Sequence, residues 1–169
     1  MPIPAQPNER WSMDFVTDTF ASGRRFRILT IVDDCTRECL ALYVDTGISG
    51  HRVSQILDEI AKTRSLPKAI VTDNGPEFIS KAMDQWAYEK RVDLKFIQPG
   101  KPVQNAFIES FNGKFRFECL DVHWFQDLNH AREIIGNWRM EYNQIRPHSS
   151  LQRKTPEQFA QQFEAVLCN

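Results

Sequence analysis

Three carboxylates in this chain have a type and spacing suited to chemistry. Asp14 lies in WSMDFV, Asp73 in TDNGPEF and Glu109 in NAFIESFNGKFR, with 35 residues between the last two acids. Each acid is at the edge of an apolar segment, where a folded core could hold it still. Mg²⁺ prefers carboxylate oxygen, and two such ions about 4 Å apart can activate the attacking oxygen and stabilise the leaving oxygen of a phosphodiester. The trio therefore predicts phosphoryl transfer on nucleic acid.

Each acid taken singly also has an ordinary structural explanation. Asp14 alone is typical of a strand-edge acid that faces water. Asp73 alone fits a turn or a helix cap, because the Asn-Gly pair after it is a turn signal and the next proline can open a helix. Glu109 alone fits a solvated helix position, and Arg116 an exposed charge or an intrahelical partner. Only the combination favours a metal site.

Apolar runs predict the elements that position these acids. The first eight residues contain three prolines and fit a linker or the scar of a truncation. Three consecutive strands in a meander follow, and helices then alternate with strands. The predicted strands cover residues 11–16, 26–32, 39–44, 68–72 and 94–97.

Besides the helix that carries Glu109, four helices are predicted between and after these strands. The first covers residues 51–64 behind Ser49 as its N-cap, and the second has Pro76 near its first turn. A later helix stops at Pro147, and a capping box at Thr155 begins a short terminal helix. These elements predict one catalytic core over residues 9–146, with a tail over 147–169 whose short helix packs on the core.

The helix that carries Glu109 has two predicted faces. The loop before it, residues 98–106, contains two prolines and a glycine, so we expect it to be mobile without DNA and ordered with it. Spacing by three and four residues separates an apolar face from a polar one. The apolar face holds Ile108, Phe111, Phe115 and Cys119, and the polar face holds Asn105, Glu109, Asn112 and Arg116.

Composition limits the classes of protein to consider. The chain has 169 residues, 41% hydrophobic and 25% charged, which is ordinary for one globular domain. Its formal net charge of −1 gives no support to a nucleic-acid partner, although bound metal ions would reverse the local charge and a fragment could have lost basic arms. The four cysteines lack zinc-ligand spacing, so no zinc is predicted. Without a signal peptide or long apolar run, we expect a soluble intracellular protein.

Several segments together resemble a known family, the integrase catalytic core of bacterial insertion-sequence transposases, which has retroviral-integrase-like Asp, Asp, Glu cores. The likeness covers nearly the entire chain. The matching segments are WSMDFV, TIVDDCTRE, IVTDNGPEF, PGKPVQNAFIESFNGKFRFECL and YNQIRPHSSLQRKTPEQF.

This resemblance implies an α/β, ribonuclease H-like fold with a five-stranded mixed sheet flanked by helices. It implies Asp14, Asp73 and Glu109 as catalytic residues and metal ligands, for two Mg²⁺ or Mn²⁺ ions when DNA is bound. It also implies DNA strand cleavage and joining on element ends and target, at least a dimer in the active complex, and a cytoplasmic location at the nucleoid. No membrane or small-molecule substrate is expected. The DNA-contacting positions would be Asn105, Lys114 and Arg116.

Departures from the family leave alternatives open. No helix-turn-helix segment precedes Asp14, so the chain resembles an isolated catalytic core. One rival is a ribonuclease H-like nuclease or a retroelement integrase, and the RPHSSL tail argues against both. Another is a catalytically idle domain kept for DNA binding or assembly. The presence of all three acids argues against that rival.

Overall fold

A computed structural model of the chain describes residues 2–98 and 105–167. Its centre is one five-stranded sheet in the order β3-β2-β1-β4-β5. The first three strands pair antiparallel, whereas β4 pairs parallel with both β1 and β5. The predicted mixed sheet is therefore confirmed. The strands are β1 (Arg10–Thr19), β2 (Arg25–Asp33), β3 (Cys39–Asp45), β4 (Ala69–Thr72) and β5 (Asp93–Phe96).

Helices cover both faces of this sheet. They are α1 (Gly50–Ile60), α2 (Lys81–Lys90), α3 (Ala106–Phe115), α4 (Leu128–Gln144) and α5 (Pro156–Leu167), with a π-helical segment at Arg116–Leu120 and a 3-10 turn at Ser149–Leu151. None of the helices in the described ranges is both long and apolar enough to cross a membrane. The predicted loop over residues 98–106 lies mostly outside the described part of the chain.

Alternation along the strands gives the sheet two buried faces. On β1, Trp11 and Met13 belong to a core shared with α1 and α2, while Val16 belongs to a second core shared with α3 and α4. Successive strand side chains point to opposite faces, so Asp14 is on the same face as Val16 and α3. The largest fully buried side chains include Trp11, Phe26, Phe78, Phe115 and Phe125.

The two helices between the strands begin and end differently from the prediction. Ser49 caps α1 as predicted, accepting a hydrogen bond from Arg52 N at 3.2 Å, but the helix ends at Ile60. Arg64, which was predicted to end this helix, lies beyond it and forms an ion pair with Asp33 of β2 at 3.2 Å. The second helix starts at Lys81 behind the N-cap Ser80. Pro76 therefore lies in the preceding turn.

The starts of α1 and α2 are in close contact. Gly50 opens α1, and a Cβ built there would lie 2.1 Å from Ser80 Oγ and 2.6 Å from the Glu77 carbonyl oxygen. Contacts this short leave no room for any other side chain. Gly50 thus lets the two helix starts pack against each other beneath the loop that carries Asp73.

Side chains of α4 close the open edge of β3. Arg139 donates to the carbonyls of Cys39 and Leu40, and Asn143 both donates to and accepts from the backbone of Cys39. Arg132 donates to the carbonyl of Val44 at 3.0 Å. Because an unpaired edge is a template for pairing with other chains, these bonds protect this side of the sheet.

The tail packs on this helix. Thr155 Oγ1 accepts from Gln158 N at 3.1 Å and Gln158 Oε1 accepts from Thr155 N at 3.0 Å, which confirms the predicted capping box. The helix that it begins, α5, contacts α4. Within the tail, the backbone N–H of His148 donates to the Lys154 carbonyl at 2.9 Å.

Candidate active site

Asp14 lies within β1 with its carboxylate held from two sides. One oxygen, Oδ1, accepts the backbone N–H of Phe15 at 2.8 Å, and the other, Oδ2, accepts the amide Nδ2 of Asn112 at 3.1 Å. The partner strand contributes Thr30, whose hydroxyl donates to the Asp14 carbonyl at 3.2 Å. These bonds fix Asp14 on the face of the sheet that α3 covers.

Asp73 follows the last residue of β4. The parallel ladder pairs Ser12 with Val71, and continuing this register by two residues places Asp14 beside Asp73 on the same face. Asp73 Oδ1 accepts the N–H of Gly75 at 2.8 Å. A Cβ built on Gly75 would lie only 3.0 Å from that oxygen, so glycine suits the tight turn that holds the carboxylate.

Glu109 is exposed in the first turn of α3. It precedes Asn112 by three residues, and residues with this spacing are neighbours on a helix surface. Because Asn112 contacts Asp14 directly, Glu109 lies on the part of α3 that borders the two aspartates. The strand, the turn and the helix thus bring the three acids to one region.

The charge of Asp14 responds to both other acids. Its pKa is raised to about 6, mainly by burial and in smaller part by the negative charges of Asp73 and Glu109, while the bond from the Phe15 N–H lowers it. The hydrogen bond from Asn112 works in the opposite direction. Ionising Asp14 is therefore costly in the free protein, and a nearby cation would relieve that cost.

The donor set suits a hard cation. Asp14, Asp73 and Glu109 are the residues that would hold Mg²⁺ or Mn²⁺, since all three offer carboxylate oxygen. Beside them, Asn112 Oδ1 is buried without a hydrogen-bond partner in the described structure, so a further oxygen is available. Within residues 2–98 and 105–167, no three His, Cys, Asp or Glu side chains are grouped closely enough to hold an ion. The charges of Asp73 and Glu109 thus influence Asp14, but the three carboxylates are not grouped closely enough to form a complete metal-binding site.

Two family models, both described as integrase core domain, match this chain. One covers residues 4–102, more than half of the sequence, and the other covers residues 90–156. The chain belongs to the integrase core domain family. The two matches together include the strand, the turn and the helix that carry the three acids.

Relatives of this integrase core are proteins of bacterial insertion elements. It is 56% identical to the IS407 uncharacterized 31.7 kDa protein of Burkholderia multivorans, over 97% of the chain and 59% of the relative. It is 52% identical to the IS476 uncharacterized 39.2 kDa protein of Xanthomonas euvesicatoria, over 98% of the chain and 48% of the relative. The transposase InsD for insertion element IS2D of Escherichia coli is 25% identical, over 93% of the chain and 54% of the relative. The chain thus spans about half the length of these relatives, and the resemblance to insertion-sequence transposase cores is confirmed.

Solved structures of retroviral integrases share the fold. A chain of the simian T-cell lymphotropic virus intasome, in complex with PP2A regulatory subunit B56 gamma, matches with a TM-score of 0.80 at 16% identity, over 95% of this chain and 56% of that one. The HTLV-2 integrase catalytic core domain in complex with magnesium matches with a TM-score of 0.70 at 17% identity, over 92% of this chain and 98% of that one. The predicted ribonuclease H-like fold is therefore confirmed.

The three predicted DNA-contacting residues of the integrase core lie in different surroundings. Arg116 is exposed, and its Nη2 donates to the Thr17 carbonyl at 3.0 Å, which ties it to the end of β1. Lys114 is exposed on another side of α3. Asn105 is only 4% exposed and does not share the surface of Glu109, because its non-helical backbone (φ −127°, ψ 27°) precedes the first turn. Contact of these side chains with DNA stays a prediction.

The role of Asn112 was not assigned from the sequence. Its place on the polar face of the Glu109 helix was evident, but a contact 98 residues away in the chain was not. The spacing of three residues from Glu109 is the one signal that could have indicated it.

A second pair of acids has structural partners. Asp34 accepts bonds from Arg10 Nε at 2.6 Å and from the Ser12 hydroxyl at 2.7 Å, and burial raises its pKa. Asp33 accepts the backbone N–H groups of Cys35 and Thr36. The motif TIVDDCTRE therefore holds the turn after β2 against the first residues of β1, whereas Asp73 follows the C-terminal end of β4.

Proposed function

We propose that this chain is the catalytic core of a DNA transposase, which cleaves and joins DNA strands by metal-dependent phosphoryl transfer. The observation that carries the proposal is the influence of Asp73 and Glu109 on the ionisation of Asp14. The negative charges of Asp73, from a turn, and Glu109, from a helix, raise the cost of ionising Asp14 on the central strand unless a cation is near. Membership in the integrase core domain family supports the same reaction.

The three acids have distinct parts in this proposal. Asp14 would contact both ions, while Asp73 and Glu109 would each contact one. When bound, the two ions supply the charge that activates the attacking oxygen and stabilises the leaving oxygen. Asn112 keeps the Asp14 carboxylate oriented through its 3.1 Å bond, and Gly75 N–H does the same for Asp73 at 2.8 Å.

Strand cleavage and joining would proceed by successive in-line attacks. Water attacks a phosphodiester at the element end and releases a 3′-hydroxyl, which then attacks a second phosphodiester in the target. No protein nucleophile is required. Consistent with this, Tyr142 is buried, its hydroxyl donates to the Arg37 carbonyl at 2.9 Å, and burial raises its pKa.

The partners of the reaction are proposed from the same comparisons. DNA is the expected substrate, and a homo-oligomer of at least two copies is the expected active form. The HTLV-2 integrase catalytic core, which shares this fold, has been solved in dimeric and trimeric forms. We also infer two Mg²⁺ or Mn²⁺ ions per active site with DNA bound, in the cytoplasm at the nucleoid.

A strand-joining assay tests the proposal. The substrate is DNA that carries candidate element ends, and the buffer contains Mg²⁺. Two proteins are compared: this chain alone, and a full-length protein that contains it. We expect Asp14→Asn, Asp73→Asn and Glu109→Gln each to reduce joining by roughly 1000-fold, and EDTA to abolish it. Glu59→Gln, an exposed acid of α1 paired with Lys62, is the matched control. Full-length protein that joins strands equally well with and without the three acids would refute the proposed function.

A further inference from the structure

A cavity of about 310 Å³ lies beside α3, between the turn after β2 and the tail. Arg37 and Tyr142 line it from the turn and from α4, while Lys114 lines it from α3 and His148 from the tail. None of the described residues that line it is acidic. The cavity therefore has cationic walls, although the chain as a whole carries a net charge of −1.

His148, which lines this cavity, has a polar atom without a hydrogen-bond partner among the described residues. The residue is only 9% exposed, and its Nε2 is buried with no hydrogen-bond partner in the described structure. The ring is fixed edge-on against Tyr142, with centroids 4.9 Å apart, and its backbone N–H is bonded to the Lys154 carbonyl. A buried polar atom without a partner costs free energy, so its retention indicates a ligand that completes it.

Arg37 is held in place by neighbours that leave its charge available. Its backbone is in the left-handed region (φ 64°), stabilised by the bond from its N–H to the Asp33 carbonyl and by the Tyr142 hydroxyl. Its guanidinium donates to the Asp34 carbonyl and lies 4.1 Å from the centre of the Phe107 ring. In the described structure it forms no ion pair with a carboxylate.

The positive charge of Lys114 is likewise not neutralised, because no described carboxylate forms an ion pair with it. Arg146, between the end of α4 and the tail, is already paired with Glu118 and Glu141. Burial and the positive charges of Lys114, Arg37 and Arg146 lower the pKa of His148 to about 4. Three cations therefore act on one buried imidazole, and a bound anion would offset them.

We propose that this cavity binds a phosphate group of the DNA strand, with Arg37, Lys114 and the Nε2 of His148 as its contacts. The inference rests on the proposed function, because Lys114 and Glu109 are on the same helix and the strand would pass from one face of α3 to the next. Hydroxyls of Ser110 and Ser150 also line the cavity and can donate to phosphate oxygen. The apolar wall formed by Val32, Phe107 and Phe111 leaves room for the adjoining sugar.

The wild-type chain provides a test that needs no mutation and no catalysis. The NMR signal of the His148 imidazole is followed in EDTA while three probes are added: a single-stranded oligonucleotide, the same oligonucleotide with uncharged methylphosphonate linkages, and inorganic phosphate. We expect the charged oligonucleotide to shift the signal and to raise the pKa of His148, because a phosphate offsets the surrounding positive charge. The uncharged oligonucleotide should leave the signal unchanged.

DNA affinity of a matched pair of variants provides the second measurement. Lys114→Gln should weaken oligonucleotide binding about fivefold at 0.1 M salt and reduce the salt dependence by about one charge. Lys62→Gln, which changes an exposed lysine just after α1 on the opposite face of the sheet, should change neither quantity.

The possible outcomes separate this proposal from the proposed function. Oligonucleotide binding without a shift of His148, or with equal affinity of the two variants, would overturn the cavity proposal and leave the strand-joining assay to decide the function. If inorganic phosphate shifts the His148 signal and the charged oligonucleotide does not, the cavity is a site for free anions, and the assignment to DNA is overturned. The absence of any shift and of any DNA binding would overturn the cavity proposal outright.

Discussion

Asn112 donates a hydrogen bond from its amide Nδ2 to Asp14 Oδ2 at 3.1 Å and so links α3 to the central strand β1. The bond couples the position of the Glu109 helix to the first aspartate, because Glu109 and Asn112 are neighbours on α3. It also favours the ionised form of Asp14, which a metal ion requires.

Replacing Asn112 should therefore impair the site more than the fold. We expect Asn112→Ala to lower strand joining by about 10-fold to 100-fold, as is usual for residues that orient a metal ligand, and to raise the pKa of Asp14. Carbon-13 NMR of the Asp14 carboxyl measures the pKa. The exposed Asn137 of α4 supplies the control Asn137→Ala. Equal joining by the two variants would contradict the role of Asn112.

The stability of the metal-free protein should depend on the ionisation of Asp14. Folding raises its pKa from 3.8 to about 6, so the folded chain binds more protons than the unfolded chain between these values. The free energy of unfolding should consequently fall as pH rises from about 4 through 6, and level off above. Asp14→Asn removes this loss, and in EDTA at pH 8 it should be more stable than wild type by on the order of 1–3 kcal/mol.

Thermal unfolding at pH 4 and pH 8 measures this difference, which should disappear at pH 4. The matched control is Asp18→Asn on the same strand, since the Asp18 carboxylate also accepts the N–H of the next residue at 2.8 Å. An Asp14→Asn variant that is less stable than wild type at pH 8 would show that the carboxylate is not under electrostatic stress.

Divalent metal should stabilise the wild-type fold through the same acids. With a dissociation constant of about 1 mM, 10 mM MgCl₂ would add about 1.4 kcal/mol to the free energy of unfolding. Thermal unfolding with and without Mg²⁺, at matched ionic strength, measures the increment. Asp73→Asn and Glu109→Gln should lose most of it, whereas Glu59→Gln should keep it. If Mg²⁺ stabilises the wild type and all three variants equally, the metal binds at residues other than these acids.

Arg116 should contribute to DNA binding more than to stability. Its bond to the Thr17 carbonyl is exposed, so Arg116→Ala should reduce the free energy of unfolding by less than about 1 kcal/mol. The loss of a phosphate contact should weaken DNA binding and strand joining and make the salt dependence shallower. Arg52→Ala is the control, since the exposed guanidinium of Arg52 is also hydrogen-bonded, to Tyr43. A variant at Arg116 that melts much earlier, with DNA affinity unchanged, would assign the residue to the fold.

Local patterns were sufficient to predict the five strands and the order of the α-helices, but not every helix boundary. Apolar runs located all five strands, and side-chain capping at Ser49 and Thr155 was predictable because it depends on residues within three positions. The start of α2 was misplaced because Pro76 and Ser80 are both ordinary signals of a helix start, and only the packing of Ser80 against Gly50 favours one of them.

Long-range contacts explain what the sequence did not reveal. The ion pair of Arg64 beyond the early end of α1 and the bond between Asn112 and Asp14 both depend on partners far along the chain. The π-helical segment after α3 had no signal in the residue pattern. Similarly, the tail motif RPHSSL indicated a family, but its histidine acquires a physical role only when α3 and the turn after β2 are placed around it.

The most direct measurement is anomalous X-ray diffraction from crystals of this chain soaked in MnCl₂. We predict manganese within about 2.0–2.6 Å of carboxylate oxygens of both Asp14 and Asp73, with Glu109 turned toward the same site. Crystals of Asp14→Asn, soaked in the same way, should show no such density. Manganese bound only at other residues, or density of equal height in wild type and variant, would contradict the assignment of these acids as the metal site.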